Sequence, residues 1–261
     1  MNALILSDLH ISAEYYFSGF KSTKYKRILD DFIKDDYDIV IISGDVFECS
    51  IMRVNENPFD LLNFLFNGKP VVFCLGNHEF AFQDYNKVID YWNKMQNESK
   101  NKNIHCLDVE NGVEIGDCKF IGNVFWYDWS LNQNQMLMKG EILDSWLDVT
   151  IKNFNAEKEH EKCKEQILKN VSRNKNNILV THCVPHWSLN TFSIEEPYSA
   201  YNSYSGCKDF LNELKDLNFK YSFCGHTHRR EIKEIYGIKC YNIGNDYLFK
   251  TNKIVNEIVE L

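Results

Sequence analysis

The sequence predicts an α/β fold whose first part is a parallel sheet. Short continuous apolar runs alternate with helix-period segments up to Lys94, and each of those runs ends in a small polar cluster. Strands covered on both faces read in this way, and their alternation with helices implies parallel pairing. After Asn103 the alternation gives way to shorter apolar runs separated by turns, which predicts antiparallel strands.

Ala3 to Ser7 is the first predicted strand, and Asp8-Leu9-His10 follows it. Lys21 to Lys34 carries Tyr25, Ile28, Leu29, Phe32 and Ile33 at helical spacing. Ile39 to Ile42 is a second strand, ending in Ser43-Gly44-Asp45. Pro58 to Phe66 reads as a helix with proline in its first turn. Val71 to Leu75 is the third strand and runs into Gly76-Asn77-His78-Glu79, where glycine would let the backbone bend. Asp84 to Lys94 is a further helix. Ile104–Val109, Gly112–Ile115 and Lys119–Phe125 are expected to be antiparallel strands, with Gly116-Asp117 as a hairpin turn. An irregular segment begins at Trp126. Glu157 to Val171 is a charged surface helix with Asn155 as its cap. Ile178–Val180 precedes Thr181-His182, Cys207–Leu217 is a helix, and Tyr221–Cys224 precedes Gly225-His226-Thr227-His228. Segments 232–235, 239–243 and 254–259 are expected as antiparallel closing strands. The long polar stretch from Pro185 to Ser205 is expected to be a lid, a substrate wall or a dimer contact.

At 261 residues, with no repeat and no linker, one domain spanning 1–261 is expected. Lys plus Arg is 29 and Asp plus Glu is 37, so the net charge is 29 − 37 = −8. That argues against binding extended duplex nucleic acid, which needs a basic face. No apolar run approaches membrane-spanning length, and the start of the chain does not read as a signal peptide. The nine cysteines include no CxxC pair, so reduced core thiols and a cytoplasmic location are expected. Cys49, Cys74, Cys183 and Cys224 lie near the polar clusters, where strand packing is favoured over a thiol ligand.

Five polar clusters stand at ends of apolar runs, and they hold five of the eight histidines: Asp8-x-His10, Gly44-Asp45, Gly76-Asn77-His78-Glu79, Thr181-His182 and Gly225-His226-Thr227-His228. Any one of them has an ordinary explanation, such as a helix cap or a satisfied polar histidine. Together they bring two carboxylates, one amide and several imidazoles to one sheet edge, a donor set suited to two divalent transition metals. In extended backbone, residues two apart point the same way, so Asp8 with His10 and His226 with His228 are expected to face one site.

These five blocks, in this order, resemble the calcineurin-like metallophosphoesterases; Glu79 stands where that family more often has Asp. Phe120-Ile121-Gly122 through Trp126-Tyr127-Asp128, and Val180 through Pro185, resemble its small bacterial single-domain phosphohydrolases. The resemblance implies a four-layered α/β/β/α sandwich with two central mixed sheets. It also implies two divalent ions (Mn, Fe or Zn), with Asp8, His10 and His228 on the first, Asn77, His182 and His226 on the second, and Asp45 bridging. His78 would act at the leaving-group oxygen, and Glu79 would orient the His78 ring. The implied reaction is phosphoester hydrolysis; the small chain and its acidic balance favour a phosphodiesterase acting on a nucleotide, cyclic or not, as the expected activity.

Candidate substrate contacts are Trp126, Asp128, His186, Tyr204 and Arg229, with Trp129, Tyr198 and Tyr201 as further aromatics. The competing reading is that the aromatics are ordinary packing and that Arg229 and Arg230 lie in solvent. His105 and His160 are expected to be structural. The basic run from Lys21 to Arg27 reads as the wet face of a helix. A phosphomonoesterase or protein phosphatase, a nuclease, and a non-catalytic scaffold are the alternatives in function.

Overall fold

A computed structural model describes residues 1–12, 26–27, 29–30, 33, 36–132, 146–190, 198–244 and 256–261. Its strands are β1 (Asn2–Leu6), β2 (Ile39–Ser43), β3 (Val71–Cys74), β4 (Ile104–Cys106), β5 (Val113–Ile115), β6 (Cys118–Asn123), β7 (Asn176–Thr181), β8 (Phe219–Cys224), β9 (Arg230–Ile235), β10 (Ile238–Ile243) and β11 (Glu257–Glu260). The first sheet has the order β11-β1-β2-β3-β4, with β1 to β4 parallel and β11 antiparallel. The second has the order β5-β6-β7-β8-β10-β9, with β6, β7, β8 and β10 parallel and antiparallel strands at both edges.

The period-2 geometry of a strand builds the layers. In β1, Ala3 and Ile5 are buried with Ile41 and Val72 against Ile178, Val180 and Phe223 of the second sheet. Leu4 and Leu6 face the other way and are buried with Phe59, Leu62, Val88 and Trp92. Those four belong to helices α1 (Pro58–Leu65) and α3 (Tyr85–Glu98). The short α2 (Asn77–Phe80) lies between these two in sequence. Beyond the second sheet, Ile121 and Leu179 are buried with Cys163 and Ile167 of α4 (Ala156–Lys169). The layers therefore run helix, sheet, sheet, helix.

Helix starts follow local chemistry. The Asn57 side chain accepts from Phe59 N (3.0 Å) ahead of Pro58, Asp84 accepts from Asn86 N (3.1 Å), and Asn155 accepts from Lys158 N (2.9 Å). Such caps satisfy backbone donors that the first turn leaves unpaired.

Several expectations fail. The segments 119–125 and 239–243, expected antiparallel, are so only towards β5 and β9; β6 pairs parallel to β7 and β10 parallel to β8. β4 does not begin the antiparallel part; it pairs parallel to β3, because the chain crosses back through α3 before entering the sheet. The helix expected over Cys207–Leu217 is only α5 (Leu211–Leu214), since the stretch before it bonds backwards, with Cys207 N donating to Val184 O (3.1 Å) and Phe210 N to Pro185 O (2.9 Å). Most of the expected Lys21–Lys34 helix, part of the polar stretch 185–205 and the start of the last expected strand lie outside the described residues.

The parallel strands send the loops after β1, β2, β3, β7 and β8 to one edge. There the two sheets are tied together. His182 Nδ1 lies 3.0 Å from Ser43 O, and Gly225 N donates to His182 O (3.0 Å). Asp108 accepts from Leu75 N (2.6 Å) with one oxygen and from Val124 N (2.8 Å) with the other. Burial pushes its carboxyl up, to a pKa of about 7, although these backbone donors oppose the shift.

Candidate metal centre

The loop after β1 zips to the loop after β2. Asp8 N donates to Gly44 O (3.1 Å), His10 N to Asp45 O (2.9 Å) and Ile11 N to Val46 O (3.0 Å). The backbone here is not extended, as the spacing of Asp8 and His10 had suggested. Asp8, His10, Asp45, His226 and His228 all have φ between 47° and 68°. Left-handed backbone at non-glycine residues costs on the order of 1–3 kcal/mol each and persists only where its surroundings enforce it. These kinks, not strand alternation, aim the side chains.

Glycine serves the site by letting groups approach. A Cβ on Gly44, whose φ is +82°, would lie 2.3 Å from His182 Nδ1. Gly76 is extended (φ −125°, ψ −177°) rather than bent, and a Cβ there would lie 2.1 Å from Asp45 Oδ1. Its small size, not its flexibility, is what the site uses.

Asp45 is the hub. Its Oδ2 lies 3.3 Å from His182 Nε2, 3.8 Å from His10 Nε2 and 3.9 Å from His78 Nε2. Its Oδ1 accepts from His78 N (3.0 Å). Burial pushes the Asp45 carboxyl up, but the imidazoles of His182, His78 and His10 outweigh it and hold it well below the usual carboxylate range. On one side of Asp45, ligand atoms of Asp8, His10, Asp45 and His228 lie within 4.8 Å of one another. His228 Nε2 is 3.6 Å from Asp8 Oδ1. On the other side, His182 Nε2 is 3.2 Å from Asn77 Oδ1 and 3.1 Å from His226 Nδ1.

Hydrogen bonds decide which nitrogen faces the site. His182 Nδ1 gives its proton to Ser43 O, and His226 Nε2 gives its proton to Tyr204 O (2.9 Å), which leaves His182 Nε2 and His226 Nδ1 turned inward. Asp45 Oδ2, Asn77 Oδ1 and His226 Nδ1, all acceptors, then crowd around His182 Nε2. Burial lowers the His182 pKa, but Asp45 and Asp8 raise it to about 10. Burial and the neighbouring His182 charge push His226 down to about 3. One proton thus stands among several lone pairs where a cation would satisfy them all. Buried Asp8 Oδ2 has no hydrogen-bond partner among the described residues. An oxygen and nitrogen donor set with these unmet lone pairs fits divalent transition metals.

His78 is held by Glu48 rather than by Glu79. Its Nδ1 lies 3.2 Å from both Glu48 oxygens, and Glu48 Oε1 is also 3.1 Å from His10 Nδ1. Burial raises the Glu48 carboxyl, yet hydrogen bonds from His10 and His78 bring it down to about 2. Burial lowers the His78 imidazole, and Asp45 and Glu48 more than reverse this, to about 9.

Glu79 is turned away, with Oε1 accepting from Phe47 N (2.8 Å) and Oε2 from Gly76 N (2.8 Å). It is a positioning residue that ties the Gly-Asp loop to the Gly-Asn-His loop. Glu79→Ala would strand two buried N–H groups, so a loss of about 2–6 kcal/mol is expected in chemical unfolding.

The expected substrate contacts are mostly committed elsewhere. Trp126 is fully buried against Phe80 and Phe154. Asp128 accepts from Ser130 N (2.9 Å) in a turn and faces His160 Nε2 at 3.9 Å. His186 pairs with Ser188 Oγ (2.9 Å) and faces Asp209 (3.8 Å), away from the cluster. Trp129 is buried edge-on to Tyr127 and Tyr204. The buried Tyr204 ring stacks on Trp146 (centroids 4.8 Å apart), and its carbonyl accepts from the site residue His226. Tyr201 packs on Trp146 as well. Arg229 is exposed, and Arg230 pairs with Glu257. The Tyr198 side chain lies outside the described residues. Neither candidate metal group among the described residues contains a cysteine.

The sequence reading missed Glu48, Trp146 and Asp148. Glu48 had a signal, a carboxylate three residues after Asp45 in the same loop. Asp148 had none; it accepts from Asn77 Nδ2 (2.9 Å) across 71 residues.

Comparison with known proteins places this chain in a family. A phosphopantetheinyl hydrolase from Mycobacterium tuberculosis shares the fold at TM-score 0.69 and 14% identity, over 99% of this chain and 95% of that one. A Thermus thermophilus protein does so at TM-score 0.55 and 10% identity, over 99% of both chains. No curated protein matches the chain by sequence. The family model of the calcineurin-like phosphoesterases matches residues 1–230, and the chain belongs to that family of metal-dependent phosphoester hydrolases.

Proposed function

We propose that the chain is a binuclear phosphodiesterase acting on a small nucleotide substrate. The observation that supports the centre is the meeting of Asp45 with the imidazoles of His10, His78 and His182 beside the unpartnered Asp8 Oδ2. Asp8, His10 and His228 would hold one divalent ion, and Asn77, His182 and His226 the other, with Asp45 between. Mn, Fe and Zn all suit these donors. When bound, such a pair supplies Lewis-acid charge to a phosphate and to a water at neutral pH.

The chain's own residues do the rest. Ser43 O and Tyr204 O fix the tautomers of His182 and His226. Glu48 holds His78 through Nδ1 and favours its charged form, so the Nε2 proton is available to a leaving-group oxygen. The same charge would stabilise negative charge as it grows on that oxygen.

Two features favour a nucleotide diester. The chain carries a net charge of −8, so a singly charged diester meets less long-range repulsion on approach than a doubly charged monoester, although at the centre itself two bound ions would outweigh Asp8, Asp45 and Glu48. The half-buried Trp146, edge-on to His226 at 6.0 Å, gives the rim an aromatic surface for a base. No helix of the described residues is long and apolar enough to cross a membrane. Nine unpaired cysteines accord with work in the cytoplasm.

The test is hydrolysis of bis-p-nitrophenyl phosphate and p-nitrophenyl phosphate by metal-stripped protein, with Mn, Fe or Zn added back. The expected result is metal-dependent turnover with the diester preferred. A preference for the monoester would overturn the diester reading, and then 2′,3′-cyclic and 3′,5′-cyclic nucleotides would not be the next substrates to try.

A further inference from the structure

Among the described residues, the segment 146–152 meets the centre at Asn77 and His226. The buried Asp148 accepts from Asn77 Nδ2 (2.9 Å) with one oxygen and from Trp146 Nε1 (2.8 Å) with the other. The Trp146 ring stacks on Tyr204 (4.8 Å, 19°), whose carbonyl accepts from His226 Nε2 (2.9 Å). The segment is fastened beside α2. Phe82 N donates to Thr150 Oγ1 (2.8 Å), Lys152 N to Gln83 O (2.8 Å) and Tyr85 N to Lys152 O (3.0 Å). Asn77 and His226 both belong to the ligand set containing His182. Trp146 and Asp148 therefore meet the centre from the His182 side, through Asn77, Tyr204 and His226.

We infer that this strap is a positioning device for one of the two metals, with Asp148 setting the amide orientation of Asn77. The inference rests on reading Asn77, His182 and His226 as the ligands of a single ion. An amide has an oxygen end and an N–H end of nearly the same shape, so it can be seated either way round. Asp148 accepts at both oxygens, which requires Asn77 to turn Nδ2 towards it and Oδ1 towards the site. A flipped amide would aim N–H groups at a cation. Trp146 holds the Asp148 carboxylate in place and, through Tyr204, braces the carbonyl that orients His226.

The experiment titrates metal-stripped full-length protein with Mn²⁺ alone, reading stoichiometry and affinity by calorimetry and metal–metal coupling by electron paramagnetic resonance. Wild type should bind two equivalents and show a coupled pair. Asp148→Ala should keep one equivalent at wild-type affinity and weaken the other by about 10- to 100-fold. At one equivalent its spectrum should be that of an isolated Mn²⁺. Asp148→Asn preserves size and packing should the alanine variant fail to fold. Its amide cannot accept from both Asn77 and Trp146, so one equivalent should weaken there as well. Two equivalents at wild-type affinity in a folded variant, or equal weakening of both, would overturn the inference. Wild type binding fewer than two equivalents would instead overturn the ligand reading beneath it.

Discussion

Asp45→Ala is expected to remove both metal equivalents and to leave hydrolysis at the buffer background. Among the described residues, Asp45 Oδ2 is the one carboxylate oxygen within 3.9 Å of imidazole nitrogens from three separate loops, those of His10, His78 and His182. Without it the two halves of the centre share no anion. The fold should suffer too, because the removal strands buried imidazolium charge that Asp45 offsets, and breaking a buried pair costs about 3–5 kcal/mol. Asp45→Asn separates the two effects. Asparagine tolerates the left-handed φ of 47° at this position and keeps the side-chain shape, so the backbone should hold. It loses only the charge. Elemental analysis and thermal unfolding of the two variants would check this. An Asp45→Ala protein that kept two metals and wild-type turnover would remove Asp45 from the centre.

His78→Ala is expected to lower kcat by about 10²- to 10⁴-fold, the range for a positioned general acid, with metal content unchanged. The separation is possible because His78 reaches Asp45 in two ways. Its backbone N–H donates to Asp45 Oδ1 and survives the substitution, while its ring is held by Glu48 beside His10. The loss should also depend on the leaving group. p-Nitrophenolate departs without a proton, so the defect should be smaller on bis-p-nitrophenyl phosphate than on a diester with an alkoxide leaving group. Equal defects on both would rule out proton donation by His78 and leave it a purely electrostatic part.

Much of the centre could be read from local sequence. Each candidate ligand sits within a few residues of the end of an apolar run, beside a glycine or a second donor, and Asp8, Asp45, Asn77, His182 and His226 converge as that pattern implied. Asp8 and His10 share a site through left-handed kinks rather than extended alternation, and Gly76 is small rather than bent. Of the loop aromatics expected to meet substrate, Trp126 and Tyr204 follow the competing reading of ordinary packing and are fully buried, as large rings with much apolar area to remove from water tend to be.

By itself the sequence determined most of the order of strands and helices and the clustering of donor residues at strand ends, while the layered architecture came from the family resemblance those clusters carry. The first two are properties of short segments: periodicity, caps and donor atoms clustered at strand ends. Only the tertiary structure decided that β4 runs parallel, that Glu48 rather than Glu79 grips His78, and that Asp148 orients Asn77. Each of these is a hydrogen-bonding choice between groups far apart along the chain, from 30 residues for Glu48 and His78 to 71 for Asn77 and Asp148. A buried carboxylate must find donors somewhere, but its own sequence neighbourhood does not say which donors the fold will bring to it.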